Sequence, residues 1–360
     1  MPNATGAGCL FPPLDRRLRI PRRGGSARFQ RKVCEANLAG SFPKASRLLG
    51  MLSGLTVSAK QVQLITERIG GILEQERREK TEAFLRPRKA GAPPDKEKAP
   101  ALLVVSLDGG RVQTRQDNPE EKWKEDKIGV VYEAAPTPER AGETYHGPSA
   151  QRRSVTATMA SWETLGDHLS ALAHTRGYKR APQKLCVADG AGAIASVRER
   201  CFPDAVFILD WGHADGHLHQ TGQAAFGPGA KAAAWVERQE ERLWKGQLTG
   251  LIAEIAHLSR RAGKPPPRAP ETDRRRILAN NLHYFKTNRA GMDYPRFRKN
   301  GWPIGSGIIE STVKQVGKRL KGTEKHWALN GAEAALQVTT HLLAEDGSWQ
   351  QFWKRCPLAA

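Results

Sequence analysis

The sequence predicts an α/β protein: a mixed sheet carrying a long helical insertion, preceded by a small helical N-terminal domain. Three observations predict it. Residues 101–108, 184–189 and 205–210 are short apolar runs, each closed by an aspartate, and read as strands buried on both faces. Helical periodicity separates them, through Leu165, Leu169 and Leu172 and then through Ile194 and Val197. Residues 214–300 then read as helical throughout. Strands, helix, strand, helix, strand is the order of a mixed α/β sheet.

The 360 residues are enough for two or three domains. Lys and Arg number 57 against 37 Asp and Glu, a formal charge of +20. An excess of that size calls for a polyanionic partner, nucleic acid first. There is no run of eighteen apolar residues to cross a membrane, and the first nine residues lack the charged start and apolar run of a signal peptide. Cys9, Cys34, Cys186, Cys201 and Cys356 form no C-x-x-C pair, and their odd count argues against a disulfide framework. A reducing cytoplasm fits best.

Residues 1–43, rich in Arg, Pro and Gly, read as a basic arm with little core of its own. Residues 44–86 read as two helices around a turn at Gly54, with Ser58 and Gln61 as a capping box for the second. Val62, Ile65, Ile69 and Ile72 form its inward stripe, leaving Lys60, Gln61, Gln63 and Arg68 facing outward. The spacing suits a helix-turn-helix whose second helix enters a DNA groove, and equally an ordinary helical hairpin; the basic context favours DNA. Residues 87–100 are a charged, Pro-containing linker. The sheet occupies 101–213, with further strands around 127–133 and 154–158 and a helix over 162–175. In the insertion, 214–300, one long amphipathic helix is expected over 230–261 and another over 273–288, split by Pro265, Pro266 and Pro267. The last segment, 301–360, opens with a Pro303-Ile304-Gly305-Ser306-Gly307 turn into a helix with Ile309, Val313, Val316 and Leu320 inward. Ser306 caps it and Gly322 ends it. A second helix over 329–343 leads to apolar anchors at Trp349, Phe352 and Trp353.

Asp108, Asp189 and Asp210 end strands of one sheet, and side chains at strand ends converge on the crevice where ligands bind. Glu310, one turn into its helix, is the fourth acid. Gathered carboxylates repel unless a cation neutralises them, and hard oxygen donors suit Mg²⁺ or Mn²⁺. Two such ions about 3.5–4 Å apart can clamp the attacking and leaving oxygens of a phosphodiester. Each Asp-Gly alone is also ordinary turn chemistry. His213, His217 and His219 lack a cysteine partner at zinc-site spacing, so structural histidines are the simpler reading.

The set Asp108-Gly-Gly-Arg, Ala188-Asp189-Gly-Ala, Leu209-Asp210-Trp-Gly-His213 and Pro303-Ile-Gly-Ser-Gly-Ile-Ile-Glu310-Ser resembles the DDE transposases of bacterial insertion sequences, the ISKra group related to the Mutator-like superfamily. The resemblance runs from about residue 102 to 353. It implies an RNase H-like mixed sheet, a helical insertion before the glutamate helix, and Asp108, Asp189 and Glu310 as catalytic acids holding Mg²⁺ or Mn²⁺. The family's C/D-x-x-H motif falls on Asp210-Trp-Gly-His213. The motifs alone leave the middle acid open between Asp189 and Asp210. RNase H-like strand order favours Asp189, with Asp210 and His213 ancillary. It further implies cleavage of the element's own ends and their joining to target DNA, by a homo-oligomer on DNA in the bacterial cytoplasm, associated with the nucleoid. Lys314, Lys318, Arg319 and Lys321 follow Glu310 and are candidate phosphate contacts, set against an ordinary solvated face. Relatives carry a cysteine-paired zinc-binding segment before the helix-turn-helix; here Cys9 and Cys34 alone stand in that region, as in a truncated one. A nuclease or resolvase with the same site, and a DNA-binding remnant that does not cut, are the alternative functions.

Overall fold

The computed structural model describes residues 25–86, 99–115, 122–322 and 325–355. The first part of the expected arm (1–24, with Cys9), most of the linker (87–98) and Cys356 lie outside them. In chain order the elements are α1 (Ala27–Ala36), α2 (Phe42–Ser53), α3 (Ala59–Leu85), β1 (Leu102–Gln113), β2 (Trp123–Ala134), β3 (Ala150–Thr158), α4 (Trp162–Thr175), β4 (Gln183–Ala188), α5 (Gly192–Cys201) and β5 (Val206–Leu209). There follow α6 (Trp211–Phe226), α7 (Ala230–Trp244), α8 (Leu248–Ala262), α9 (Arg274–Thr287), α10 (Tyr294–Lys299), α11 (Gly307–Leu320), α12 (Leu329–Leu343) and α13 (Ser348–Arg355). Among the described residues no helix is long and apolar enough to cross a membrane. The chain divides into two compact units.

The larger unit, described over 78–86, 99–110 and 125–314, holds the sheet. Its strand order is β3-β2-β1-β4-β5, with β1, β4 and β5 parallel and β2 antiparallel to β3. This is a mixed α/β sheet, as the apolar runs predicted. α4 and α5 bury Leu165, Leu169, Ile194 and Val197 against Leu103, Val105, Leu107 and Cys186 of β1 and β4. Each such side chain contributes about 1.5–3 kcal/mol when fully buried. Ser161 caps α4 by accepting from the Thr164 N–H. The insertion is helical, but the expected helix over 230–261 is two. α7 stops at Lys245–Gly246–Gln247, where Gly246 takes φ +72° and the N–H groups of Gly246 and Gln247 turn back to the carbonyls of Leu243 and Arg242. That left-handed glycine is a helix terminator that apolar periodicity does not register.

The smaller unit, described over 25–77, 111–115, 122–124, 315–322 and 325–355, is chiefly helical. Residues 27–36, expected to lie in a basic arm with little core, form α1 instead, which buries Val33 and Cys34 completely and is capped by Ser26. Gly54 ends α2 in the left-handed conformation, and Ser58 and Gln61 form the expected capping box at the start of α3. Val62, Ile65, Ile69 and Leu73 of α3 pack with Val338 of α12 and with Trp349 and Phe352 of α13. The residues after 314, expected to complete the sheet domain, thus share a core with the N-terminal helices. Gly70 marks the tightest crossing: a Cβ there would lie 2.1 Å from the Ala334 carbonyl oxygen.

Candidate functional site

The strand register brings the acids together. β1 and β4 pair as far as Ser106 with Val187, and β4 and β5 as far as Ala188 with Leu209. Continued by one or two residues, the same registers set Asp108, Asp189 and Asp210 at one level across three neighbouring strands. Asp108 is not at a strand terminus, as the sequence reading had it. β4 stops at Ala188, but β1 runs on to Gln113, so Asp108 stands where the β1–β4 ladder ends, within a longer strand.

Each acid is held differently. Asp108 and Asp189 are half-buried. Asp108 Oδ1 accepts from the Gly109 N–H at 2.6 Å, and Asp189 Oδ1 from the Ala191 N–H at 2.8 Å. The second contact is turn chemistry, which uses one of the two Asp189 oxygens. Gly190 takes φ +80°, and a Cβ there would lie 2.8 Å from Asn288 Oδ1 and from Leu209 Cδ1, so both conformation and space require glycine after Asp189.

Asp210 is buried, 2% exposed. It caps α6: Oδ2 accepts from the His213 N–H at 2.8 Å and from His213 Nδ1 at 2.8 Å. Oδ1 accepts from the Ser306 N–H. Burial raises this carboxyl, but the donors from His213 and Ser306 outweigh it and hold it below the ordinary aspartate value. An ionised Asp210 accepts only, so His213 Nδ1 carries the proton in this contact.

Ser306 carries the arrangement to the glutamate. Its hydroxyl donates to Glu310 Oε1 at 2.9 Å, while Lys314 Nζ lies 3.3 Å from Glu310 Oε2. Ligand atoms of Asp210, His213 and Glu310 all lie within 4.8 Å of one another. Asp108, Asp189 and Glu310 do not close that far, yet they sense one another. The Asp108 carboxyl lies above its ordinary value: burial raises it most, the Gly109 N–H and His213 oppose, and the charges of Asp189 and Glu310 add to the rise. His213 is raised by its hydrogen bond to Asp210, against burial, and then by the charges of Asp210, Asp189 and Asp108.

The insertion supplies groups that the sequence reading passed over. Tyr284 of α9 donates its hydroxyl to the Asp189 carbonyl at 2.8 Å and stacks on His217 at 3.7 Å. His217 Nδ1 lies 2.8 Å from Asn281 Oδ1, and burial lowers this imidazole below its ordinary value. Tyr294 donates to the Leu209 carbonyl at 3.0 Å, and the Trp211 N–H donates to the Ile304 carbonyl at 2.9 Å. Only Ser306 had a sequence signal, as a cap; an aromatic inside a helical run looks like any core position. The three histidines considered for zinc take separate partners: Asp210 for His213, Asn281 for His217, Asp215 and Glu240 for His219.

The candidate DNA contacts divide. Lys60, Gln61, Lys314, Lys318 and Lys321 are exposed, and Gln63 and Arg68 half-buried. Gln61 is occupied by the capping box, Gln63 donates to Glu67, and Arg68 donates to the buried Gln30. Arg319 is not a surface cation. It is 1% exposed, donates to Asn37 Oδ1 at 2.7 Å, and its guanidinium lies 4.9 Å and 5.1 Å from the ring centroids of Phe42 and Trp327. Burial lowers it to about 10. An arginine so enclosed holds a core together and is unavailable to a phosphate.

No protein-family model matches the chain, and no curated protein matches it.

Proposed function

We propose that the chain is a metal-dependent DNA transposase of the DDE kind, with an RNase H-like core, that cleaves element ends and joins them to target DNA. The observation that carries this reading is the in-register placement of Asp108 beside Asp189, with Glu310 close enough for its charge to raise Asp108. That strand order and the position of the helical insertion before Glu310 also agree with the resemblance in the motifs.

The donor set fits the expected ion. Hard carboxylate oxygens suit Mg²⁺ or Mn²⁺, and an Asp108 carboxyl raised first by burial and then by the charges of Asp189 and Glu310 would gain from a cation. Asp108, Asp189 and Glu310 would hold a pair of such ions, which would supply Lewis-acid stabilisation at the attacking and leaving oxygens. The chain's own residues do the rest. Asp210 is a positioning residue with its oxygens engaged; through the Ser306 N–H and hydroxyl it fixes the start of α11 and thus Glu310. Lys314 puts exposed positive charge beside Glu310, and in the smaller unit Lys318 and Lys321 are exposed cations for a DNA backbone. Lys60 and Gln63 of α3 are the outward groups for end recognition in a helix-turn-helix reading. Joining two ends calls for a homo-oligomer assembled on DNA.

The test is a Mg²⁺ or Mn²⁺ reaction on DNA carrying the inverted repeats that flank the gene. Joined products are expected from the wild type, none from Asp108→Asn, Asp189→Asn or Glu310→Gln, and a reduced yield from Asp210→Asn. Cleavage without joining would make the protein a nuclease or resolvase; binding without cleavage would make it a remnant. Full activity in Asp189→Asn with none in Asp210→Asn would exchange the roles of those two acids.

A further inference from the structure

A second group of side chains of metal-ligating type lies within the insertion, on residues the proposed reaction does not use. Asp215 and His219 stand one turn apart on α6, and Glu240 reaches across from α7, which packs against it. His219 Nε2 is 3.8 Å from Asp215 Oδ2 and 3.6 Å from Glu240 Oε1, and ligand atoms of all three lie within 4.8 Å of one another. These separations are too long for hydrogen bonds. They suit donors around one ion: nitrogen and oxygen ligands about 2.0–2.1 Å from a tetrahedral zinc stand about 3.3–3.4 Å apart.

Two further features point to a missing cation. Asp215 Oδ1 is buried and, while Glu240 is ionised, has no hydrogen-bond donor among the described residues, an arrangement that costs about 1–3 kcal/mol unless something else satisfies it. The Glu240 carboxyl also sits against that of Asp215: burial raises it first, then a hydrogen bond to Asp215 and the charge of that group. The site is open to solvent on the histidine side, where His219 is 54% exposed.

We propose that Asp215, His219 and Glu240 bind a zinc-class divalent cation that clasps α6 to α7, with water completing its coordination. The imidazole selects zinc-like metals over Mg²⁺, which prefers all-oxygen sites. The clasp is separate from the acids of the sheet, and it does not depend on the transposase reading.

The experiment uses the full chain carrying Asp108→Asn and Glu310→Gln, so that the acids of the sheet do not compete for metal. After chelator treatment, Zn²⁺ alone is titrated in excess Mg²⁺ against a chromophoric chelator, and thermal unfolding is followed with and without Zn²⁺. One Zn²⁺ per chain is expected, together with a rise in the unfolding midpoint. Adding His219→Ala or Glu240→Gln should weaken Zn²⁺ binding at least tenfold and remove the rise. His219 is exposed, so the metal-free midpoint of its variant should match the parent and exclude misfolding. No bound Zn²⁺, or equal binding by parent and both variants (an adventitious ion only), would overturn the proposal.

Discussion

Replacing Asp210 by Asn tests the arrangement at its most connected atom pair. The carboxylate accepts from the Ser306 N–H on one oxygen and from the His213 N–H and Nδ1 on the other. An asparagine has one acceptor oxygen. Turned toward His213 it keeps the α6 cap and sets its NH₂ against the Ser306 N–H; turned the other way it loses the cap. A hydrogen bond to a charged group is worth about 1.5–3 kcal/mol, and an orphaned buried donor costs about 1–3. These losses overlap, so the variant should be less stable by about 2–4 kcal/mol, read as a lower urea midpoint at neutral pH. The pH profile should change as well. His213 is raised above its ordinary 6.5 chiefly by Asp210, so its contribution is full below 6.5 and is lost as pH rises through the folded value. Asp210 is held below 3.8, so its contribution is present above 3.8 and is lost as pH falls through the folded value. The Asp210 dependence should vanish in the variant and that of His213 shrink, since Asp189 and Asp108 still raise it, and the ring should titrate lower by NMR. A stability loss under about 0.5 kcal/mol, or an unmoved His213, would refute the claim that Asp210 organises the start of α6 and the turn before Glu310.

Other expectations follow from single contacts. Lys318→Ala should lower the slope of log K against log salt for DNA binding by about 1, whereas Arg319→Met should leave it unchanged because Arg319 is enclosed by Phe42, Trp327 and Asn37. Gly70→Ala would drive a Cβ to 2.1 Å from the Ala334 carbonyl oxygen and should destabilise by about 1–3 kcal/mol or more in urea unfolding. Tyr284→Phe removes the donor to the Asp189 carbonyl and should cost about 1 kcal/mol of stability. It should reduce joined product while leaving binding to element ends intact.

The strands were legible because a doubly covered parallel strand must be apolar along its length, and β1, β4 and β5 are. The helices α4, α9 and α12 were legible from their helical patterning; the caps Ser161 and Asp273 of α4 and α9 are seen in the structure. What escaped depended on groups distant in the chain. The continuation of β1 past Asp108 follows from its place beside β2, not from Asp108-Gly-Gly, which looks like an ending. α1 interleaves its apolar residues with Arg28, Arg31 and Lys32 and follows an Arg-rich stretch, so the segment that buries Val33 and Cys34 reads in the sequence as part of a basic arm. Arg319 sits between Lys318 and Lys321 in a segment that reads as a solvated basic face; its ring partners, Phe42 and Trp327, come from elsewhere in the sequence. The acids themselves were visible, and the resemblance already favoured Asp189 over Asp210. Which oxygens are engaged was not visible, because it depends on the contacts of Asp210 with His213 and Ser306.

The hydrogen bond from the Trp211 N–H to the Ile304 carbonyl, with the Asp210–Ser306 contact beside it, pins the helical insertion at its neck. Thermodynamically, everything between those residues is one loop whose ends are already joined. The entropy of closing such a loop grows only with the logarithm of its length, about 0.6 kcal/mol for each doubling. Segments within α7 and α8 can therefore be lengthened, trimmed or exchanged at little cost to the position of Glu310, provided the neck and the contacts of Tyr284 and Tyr294 remain. The insertion can thus change in size about a neck whose residue-specific contact is the Asp210 carboxylate on the Ser306 N–H.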